Sequence, residues 1–125
     1  MINHVSIGVR NIAKSRSFYN AILKPLGYTC LSAAESSLGY GKASVGLWIS
    51  HVQNPVKADL QSGLHVCFDA PNRNGVDAFH QAATANGGQD NGKPGLRAEY
   101  GENYYAAFVI DPDGYRIEAY CGHSM

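Results

Sequence analysis

The sequence has no excess of either charge, no long apolar run and few cysteines, and each absence excludes a class of protein. Ten Lys and Arg residues balance ten Asp and Glu residues, so the chain lacks the basic surface that binds nucleic acid or anionic membranes. Apolar runs such as Val45–Ile49 are far shorter than the ~20 residues that span a bilayer. Three cysteines without CxxC spacing, and no visible secretory leader, predict a protein of the reducing cytoplasm. We expect all three, Cys30, Cys67 and Cys121, to be small core residues.

What is present is enough apolar material for one domain. The chain has 125 residues, of which 45% are hydrophobic and 16% charged. A chain of this length buries roughly 65% of the surface that its unfolded form exposes. We therefore predict a single domain over residues 1–125 that needs no disulfide or metal to hold its core together.

The order of predicted elements occurs twice along the chain. His4–Val9 alternates apolar and polar residues as a half-buried strand does, and Leu64–Ala70 repeats the pattern. His4 and His65 are 61 residues apart, as are Phe18 and Phe79. Since one half cannot bury both its helix and its sheet well, a paired arrangement is expected. The halves are residues 1–52 and 64–125, and a Pro- and Gly-containing connection covers 53–63.

Each half is predicted to contain a strand, a helix and about three further strands. In the first half, Asn11 caps a helix that runs to about Leu26, and in the second Asn74 or Gly75 begins a helix over Val76–Ala85. Asn91–Gly95 is predicted to be a loop because it is rich in Gly and Pro, and Asp111–Gly114 to be the turn of a hairpin. The further strands are Tyr28–Leu31, Ser37–Gly41, Val45–His51, Tyr104–Ile110 and Tyr115–Tyr120.

Three residues at related positions have the composition of a metal site. His4 and His65 open the first strand of each half, and Glu118 lies in the last strand between two apolar residues. Two imidazoles and a carboxylate form the facial triad that binds Fe²⁺, Mn²⁺, Zn²⁺ or Ni²⁺. A hydrogen-bonded histidine or a solvated strand glutamate is the alternative. We do not expect His51, His80 or His123 to be ligands, and we expect His80 to face solvent.

Aromatic residues offer a second candidate feature. Tyr100, Tyr104 and Tyr105 precede the last hairpin, with Arg97 nearby. These residues either pack in the core and strands or form a pocket wall in which phenols hold a small substrate. No phosphate-binding loop, nucleophile elbow or recognisable catalytic cysteine is present.

Five segments resemble the vicinal oxygen chelate superfamily, which includes glyoxalase I, the bleomycin resistance proteins and the extradiol dioxygenases. The last of them, an aromatic strand, a DPDG turn and a strand that carries Glu118, is the most specific. Together they cover essentially the whole chain. The segments are His4–Val9, Ser17–Tyr19, Leu26–Tyr28, Gly63–Phe68 and Phe108–Glu118.

The resemblance implies an α+β fold of two βαβββ modules, whose cupped mixed sheets surround one cavity with a divalent metal. Matched position by position, His4, His65 and Glu118 are three of the four expected ligands. The fourth position falls in Val45–Ile49, which has no carboxylate, and Trp48 is its expected occupant. Typical glyoxalase I has an acidic residue at this position, so the chain departs from that pattern. The resemblance also implies a homodimer, with the site formed within one chain or between swapped chains.

Two functions follow as expectations. The first is a metal-dependent lyase, dioxygenase or thiol transferase in which the cation binds two neighbouring oxygens of a small substrate. Its cavity would be lined by Trp48, Arg97, Tyr104 and Tyr105, and its general base is unassigned. The second is a metal-free protein that sequesters a small aromatic drug, as bleomycin resistance proteins do. A structural or regulatory module with a vestigial cavity is a third alternative.

Overall fold

The computed structural model describes all residues 1–125 and contains two modules with the same order of elements. The first consists of β1 (Val5–Val9), α1 (Ile12–Leu23), a 3₁₀ turn (Lys24–Leu26), β2 (Thr29–Ala33), β3 (Ser37–Gly41) and β4 (Val45–His51). The second consists of β5 (His65–Asp69), α2 (Arg73–Ala85), β6 (Gln89–Leu96), β7 (Tyr105–Ile110) and β8 (Arg116–Cys121). This confirms the predicted α+β fold of two βαβββ modules.

Each module forms its own four-stranded sheet, with strand orders β1-β4-β3-β2 and β5-β8-β7-β6. The first strand of each module pairs in parallel with the last, and the other neighbours are antiparallel. β1 and β5 are therefore edge strands of their sheets. Two grooves lie between these strands, one of about 410 Å³ and one of about 170 Å³.

The core is formed where each helix packs on one face of its own sheet and the two helices contact each other. The side chains of Phe18 and Ile22 on α1 and Phe79 on α2 are fully buried. They belong to one apolar cluster that continues into both sheets. Burial of a large apolar side chain contributes roughly 1.5–3 kcal/mol, so these helix residues hold the two modules together.

Polar contacts fix the angle between the modules. The Tyr19 hydroxyl donates to Asp111 Oδ2 at 2.6 Å in the buried interior, and the Arg10 amide donates to Asp113 Oδ1 at 3.0 Å. The Tyr115 hydroxyl donates to the carbonyl of Gly8 at 2.6 Å. These contacts join β1, α1 and the connection between them to the DPDG turn and to Tyr115, which directly follows that turn. This part of the second module therefore sets how the two sheets are arranged.

The helix ends differ slightly from the expectation. Asn11 caps α1 through a bond from the Lys14 amide, and Asn72 caps α2 through a bond from Gly75. The second helix therefore begins at Arg73, before the predicted Asn74 or Gly75. The chain leaves the 3₁₀ turn through Gly27, whose φ of 88° lies in the left-handed region that favours glycine.

Two local predictions were wrong. Residues 91–95, expected as a loop, belong to β6, an irregular edge strand with register shifts on each side of Gly92. A strand with glycine and proline is tolerated at an edge, where a missing amide breaks no ladder. His80, expected to face solvent, has a side chain only 14% exposed and pairs with Asp90 at 2.8 Å.

No helix in the structure is both long and apolar enough to cross a membrane.

Candidate metal and ligand site

The register between β5 and β8 brings a histidine and a glutamate together. Cys67 is the Cα partner of Glu118, and His65 that of Arg116, so alternate residues of both strands share one face. His65 Nε2 lies 3.1 Å from Glu118 Oε1. Only 3% of the Glu118 side chain is exposed, against 45% for His65. The carboxylate is therefore buried while the imidazole next to it remains accessible.

The second oxygen of Glu118 is held by a tyrosine. The Tyr104 hydroxyl donates to Glu118 Oε2 at 2.6 Å. Its ring packs 4.2 Å from the Tyr120 ring and 5.3 Å from the Tyr100 ring, between centroids. Burial, with the neighbouring Glu118, raises the pKa of Tyr104 well above its ordinary value. Tyr104 thus stays protonated and orients the carboxylate.

Cys67, which the sequence suggested to be a core residue, instead lies beside Glu118. The residue is exposed on the edge strand. Although the residue as a whole is exposed, partial desolvation of its thiol, together with the Glu118 and Asp69 carboxylates, raises the pKa of Cys67 to about 12. It is therefore a neutral thiol at physiological pH. In the sequence, Cys67 stands two residues after His65 within a predicted strand, and this spacing predicts that the two side chains share one face.

His4 does not reach this pair within one chain. It lies just ahead of β1 in the other module, exposed, with Nδ1 2.7 Å from Asn3 Oδ1. It lines the 410 Å³ groove, whereas His65 lines the 170 Å³ groove. No three His, Cys, Asp or Glu side chains of the chain lie close enough to share one metal ion. Of the three expected ligands, one chain thus brings together His65 and Glu118.

The two adjacent groups fit a divalent cation in their chemistry. Imidazole and carboxylate suit Zn²⁺, Fe²⁺, Mn²⁺ and Ni²⁺. Glu118 makes no ion pair with Lys or Arg, and His65 is its only ion-pair partner. A buried carboxylate is costly unless a positive charge or several hydrogen bonds compensate it. The pair would supply two ligands to such a cation, and the remaining coordination positions would be left to other groups.

The expected pocket residues divide between two sheets and two faces. Trp48 is the Cα partner of Ser6 in the first module, whereas Arg97 and Tyr104 belong to the second. The Arg97 guanidinium lies 5.4 Å from the centre of the Phe108 ring. In the register of β7 and β8, Phe108 is the Cα partner of Glu118, so Arg97, Tyr104 and Glu118 occupy one face.

Tyr105 lies on the opposite face from Glu118. Its hydroxyl donates to Asp77 of α2 at 2.6 Å, and the Arg73 guanidinium lies 5.1 Å from its ring centre. These contacts with α2 explain its position by packing and place its ring on the face away from Glu118. The physical reason is the alternation of a strand, because neighbouring residues point to opposite faces.

Comparison with known proteins agrees with this architecture. The family model of the Glyoxalase/Bleomycin resistance protein/Dioxygenase superfamily matches residues 1–119. The uncharacterized protein YqjT of Bacillus subtilis is 27% identical over 122 residues, which cover 94% of this chain and 95% of that protein.

Solved structures agree as well. A glyoxalase/bleomycin resistance protein from Albidiferax ferrireducens is 33% identical, with a TM-score of 0.83 and coverage of 94% of this chain and 96% of that one. The fosfomycin resistance protein FosX of Listeria monocytogenes shares the fold at 15% identity, with a TM-score of 0.71 and coverage of 98% and 93%. With a family model over nearly its full length and two βαβββ modules, the chain belongs to the Glyoxalase/Bleomycin resistance protein/Dioxygenase superfamily.

Proposed function

We propose that two copies of this chain pair to form a metal-dependent enzyme acting on a small oxygenated substrate. In each site, His4 of one copy joins His65 and Glu118 of the other around a divalent cation. The observation that supports the proposal is Glu118, a carboxylate 2% exposed that has an imidazole 3.1 Å away and no Lys or Arg in contact. A cation at this position would offset the cost of burying that charge.

The rigidity of the chain is the reason for assigning His4 to a second copy. The bonds from Tyr19 to Asp111, from Arg10 to Asp113 and from Tyr115 to Gly8 hold the first module against the second. Bringing His4 to His65 within one chain would break these contacts, one of which is buried. A two-fold dimer that pairs unlike modules reaches the same result without that loss, since each copy contributes to both sites.

The bound cation, Fe²⁺, Mn²⁺, Zn²⁺ or Ni²⁺, would supply Lewis acidity toward two neighbouring oxygens of the substrate. The chain's own groups then have distinct tasks. Tyr104 holds its proton and keeps Glu118 Oε2 in place, which is how outer hydrogen bonds tune metal ligands. The rings of Tyr100, Tyr104 and Tyr120 pack together and limit water on one side of Glu118. Trp48 occupies the position where relatives of the glyoxalase I type carry a fourth ligand.

The alternative is a metal-free protein that binds a small aromatic ligand. One observation favours it. His65 and Tyr104 hydrogen-bond to both oxygens of Glu118, so the carboxylate is satisfied without a cation. The packed tyrosines beside it offer rings on which an aromatic ligand stacks. The two functions differ in whether the protein takes up metal.

Complementation between two inactive variants tests the shared site. His4→Ala and Glu118→Ala are each expected to weaken metal binding by about tenfold or more. Unfolding and refolding an equal mixture gives a mixed dimer in which one site has all three ligands and the other has neither His4 nor Glu118. Because about half of randomly formed dimers are mixed, the mixture should recover about a quarter of the wild-type metal content. The measurement is elemental analysis after dialysis against micromolar metal.

Trp48→Ala is the matched control, because it alters the first-module face and should retain the metal. A refolded mixture with no more metal than its parents would refute the shared site. A monomeric mass by light scattering at micromolar concentration would exclude the dimer. Wild-type protein that takes up no divalent metal would refute the enzyme proposal and support the metal-free alternative.

A further inference from the structure

The guanidinium of Arg97 is held in place by the chain that precedes it. Its Nη1 donates to the carbonyl of Gly95 at 2.9 Å and its Nη2 to the carbonyl of Lys93 at 2.7 Å. The group lies over the Phe108 ring, 5.4 Å from its centre. These two bonds use two of the five N–H donors of the side chain. Arg97 is thus fixed as a planar cation with three donors left over.

Two glycines make room for this arrangement. A Cβ at Gly92 would lie 2.9 Å from Phe108 Cδ2 and 3.4 Å from Arg97 Nη2. A Cβ at Gly95 would lie 3.3 Å from Arg97 Nη1. Side chains at either position would therefore push against the ring or the guanidinium. The register shifts of β6 interrupt its regular hydrogen-bond ladder with β7 and leave room for the arginine side chain.

Arg97 has no carboxylate of the protein as its partner. The ion pairs of the chain involve Arg10 with Asp113, His65 with Glu118, and His80 with Asp90. A fixed guanidinium with free donors matches the two oxygens of a carboxylate in a bidentate contact. One guanidinium also balances the single charge of a carboxylate better than the nearly double charge of a phosphate.

The guanidinium of Arg97 lies on the same face of the sheet as Glu118. Phe108, under the guanidinium, is the Cα partner of Glu118 on the neighbouring strand. Adjacent strands are about 4.8 Å apart, so the guanidinium lies on the order of 10 Å from the carboxylate. This face also presents the ring of Phe108, under the guanidinium, and the ring of Tyr104, whose hydroxyl meets Glu118. A planar molecule about the size of one substituted ring spans that distance.

We propose that Arg97 binds a carboxylate at one end of a planar substrate whose other end reaches His65 and Glu118. The inference rests on the proposed function in taking this face as the substrate face, and it adds the charge and shape of the substrate. A substrate with neighbouring oxygens at one end and a carboxylate at the other fulfils both conditions. Arg97 is then a specificity-determining residue, and Phe108 the surface that holds it.

The test compares two probes that differ only in charge, 3,4-dihydroxybenzoate and 3,4-dihydroxybenzamide. Binding is measured by isothermal titration calorimetry with the full chain, both as purified and after metal removal by dialysis. Wild-type protein should bind the acid about tenfold or more tightly than the amide, the scale of a charge-assisted hydrogen bond. Arg97→Gln should lose this preference in both preparations.

Arg116→Gln is the matched control. Arg116 lies on the same face, opposite His65, and its Nε donates to the carbonyl of Leu64 at 3.2 Å. The control should keep the preference for the acid, and circular dichroism establishes that both variants are folded. Equal binding of acid and amide by the wild type, no binding of either, or an equal loss in both variants would overturn the proposal.

The two proposals fail in different ways. If wild-type protein takes up no metal but still prefers the acid through Arg97, the metal enzyme is refuted and the carboxylate site stands. If the metal site assembles as proposed but acid and amide bind alike, the metal enzyme stands and the role of Arg97 is refuted. The dialysed preparation separates the two because it contains no metal to which the probes could bind.

Discussion

Removing one hydroxyl group, by Tyr19→Phe, tests how the modules are joined. Tyr19 is fully buried, and its hydroxyl donates to Asp111 Oδ2 at 2.6 Å. Asp111 is 4% exposed, and its other oxygen accepts the amides of Asp113 and Tyr115 at 2.9 Å each. Without the hydroxyl, Oδ2 loses its partner in a place that water reaches poorly. A hydrogen bond to a charged group contributes about 1.5–3 kcal/mol, so we expect about 2 kcal/mol less stability at neutral pH.

The effect should depend on pH in a definite direction. Burial raises the pKa of Asp111, and the bond from Tyr19 partly opposes that rise by favouring the ionised form. A carboxyl group with a raised pKa in the folded state stabilises the fold at low pH and loses that contribution as pH rises through the folded pKa. Tyr19→Phe raises the pKa of Asp111 further and enlarges the loss. The difference in free energy of unfolding between wild type and Tyr19→Phe should therefore decrease as the solution is acidified.

Tyr40→Phe is the control because Tyr40 is 2% exposed and donates at 2.8 Å to a neutral acceptor, Asn20 Oδ1. It should cost about 1 kcal/mol, with no comparable change on acidification. The assay is urea unfolding followed by circular dichroism, at neutral and acidic pH and at one protein concentration. The reasoning is refuted if Tyr19→Phe costs no more than Tyr40→Phe at neutral pH, or if its cost does not decrease in acid.

Three further changes have expected outcomes. Phe79→Ala opens a cavity at a fully buried position and should lower the free energy of unfolding by about 3–5 kcal/mol, measured by urea denaturation. Gly39→Ala places a Cβ 2.8 Å from Trp48 Cζ3, so it should displace that ring and shift the emission of the single tryptophan, while Gly46→Ala, which meets no atom within 4 Å, should not. Asp90→Asn removes a carboxylate whose pKa is lowered, chiefly by the hydrogen bond between Asp90 and His80. The wild type should lose that stabilisation as pH falls through the lowered pKa, and the variant's melting temperature should fall less over that range.

The sequence was sufficient for the parts of the fold that depend on local pattern. The alternation in His4–Val9 and the 61-residue offset between Phe18 and Phe79 predicted two similar modules, since period and repeat are properties of the chain alone. The DPDG turn could also be predicted, because glycine favours the positive φ that such turns require, and Gly114 has a φ of 94°. The repeat related His4 to His65, and the resemblance to the family added Glu118 to them; of these three residues, the chain brings His65 and Glu118 into contact.

The parts that were missed depend on contacts between distant residues. β6 contains Gly92 and Pro94 and becomes a strand only because β7 is beside it. Cys67 was expected in the core and instead borders Glu118, a neighbour 51 positions away that only the parallel register of β5 and β8 supplies. Strand propensity depends on such neighbours, so local composition indicated a loop for one and a core residue for the other.

By itself, the sequence determined the two modules, the chemical types available to the site and the face that each strand residue shares with its neighbours. Only the tertiary structure decided which of those residues meet. It placed Tyr105 against α2, seated Arg97 over Phe108, and left His4 in a different groove from His65. The reason is physical, because the angle between the modules is set by buried contacts such as Tyr19 with Asp111, and no local pattern encodes the distance between two separately formed sheets.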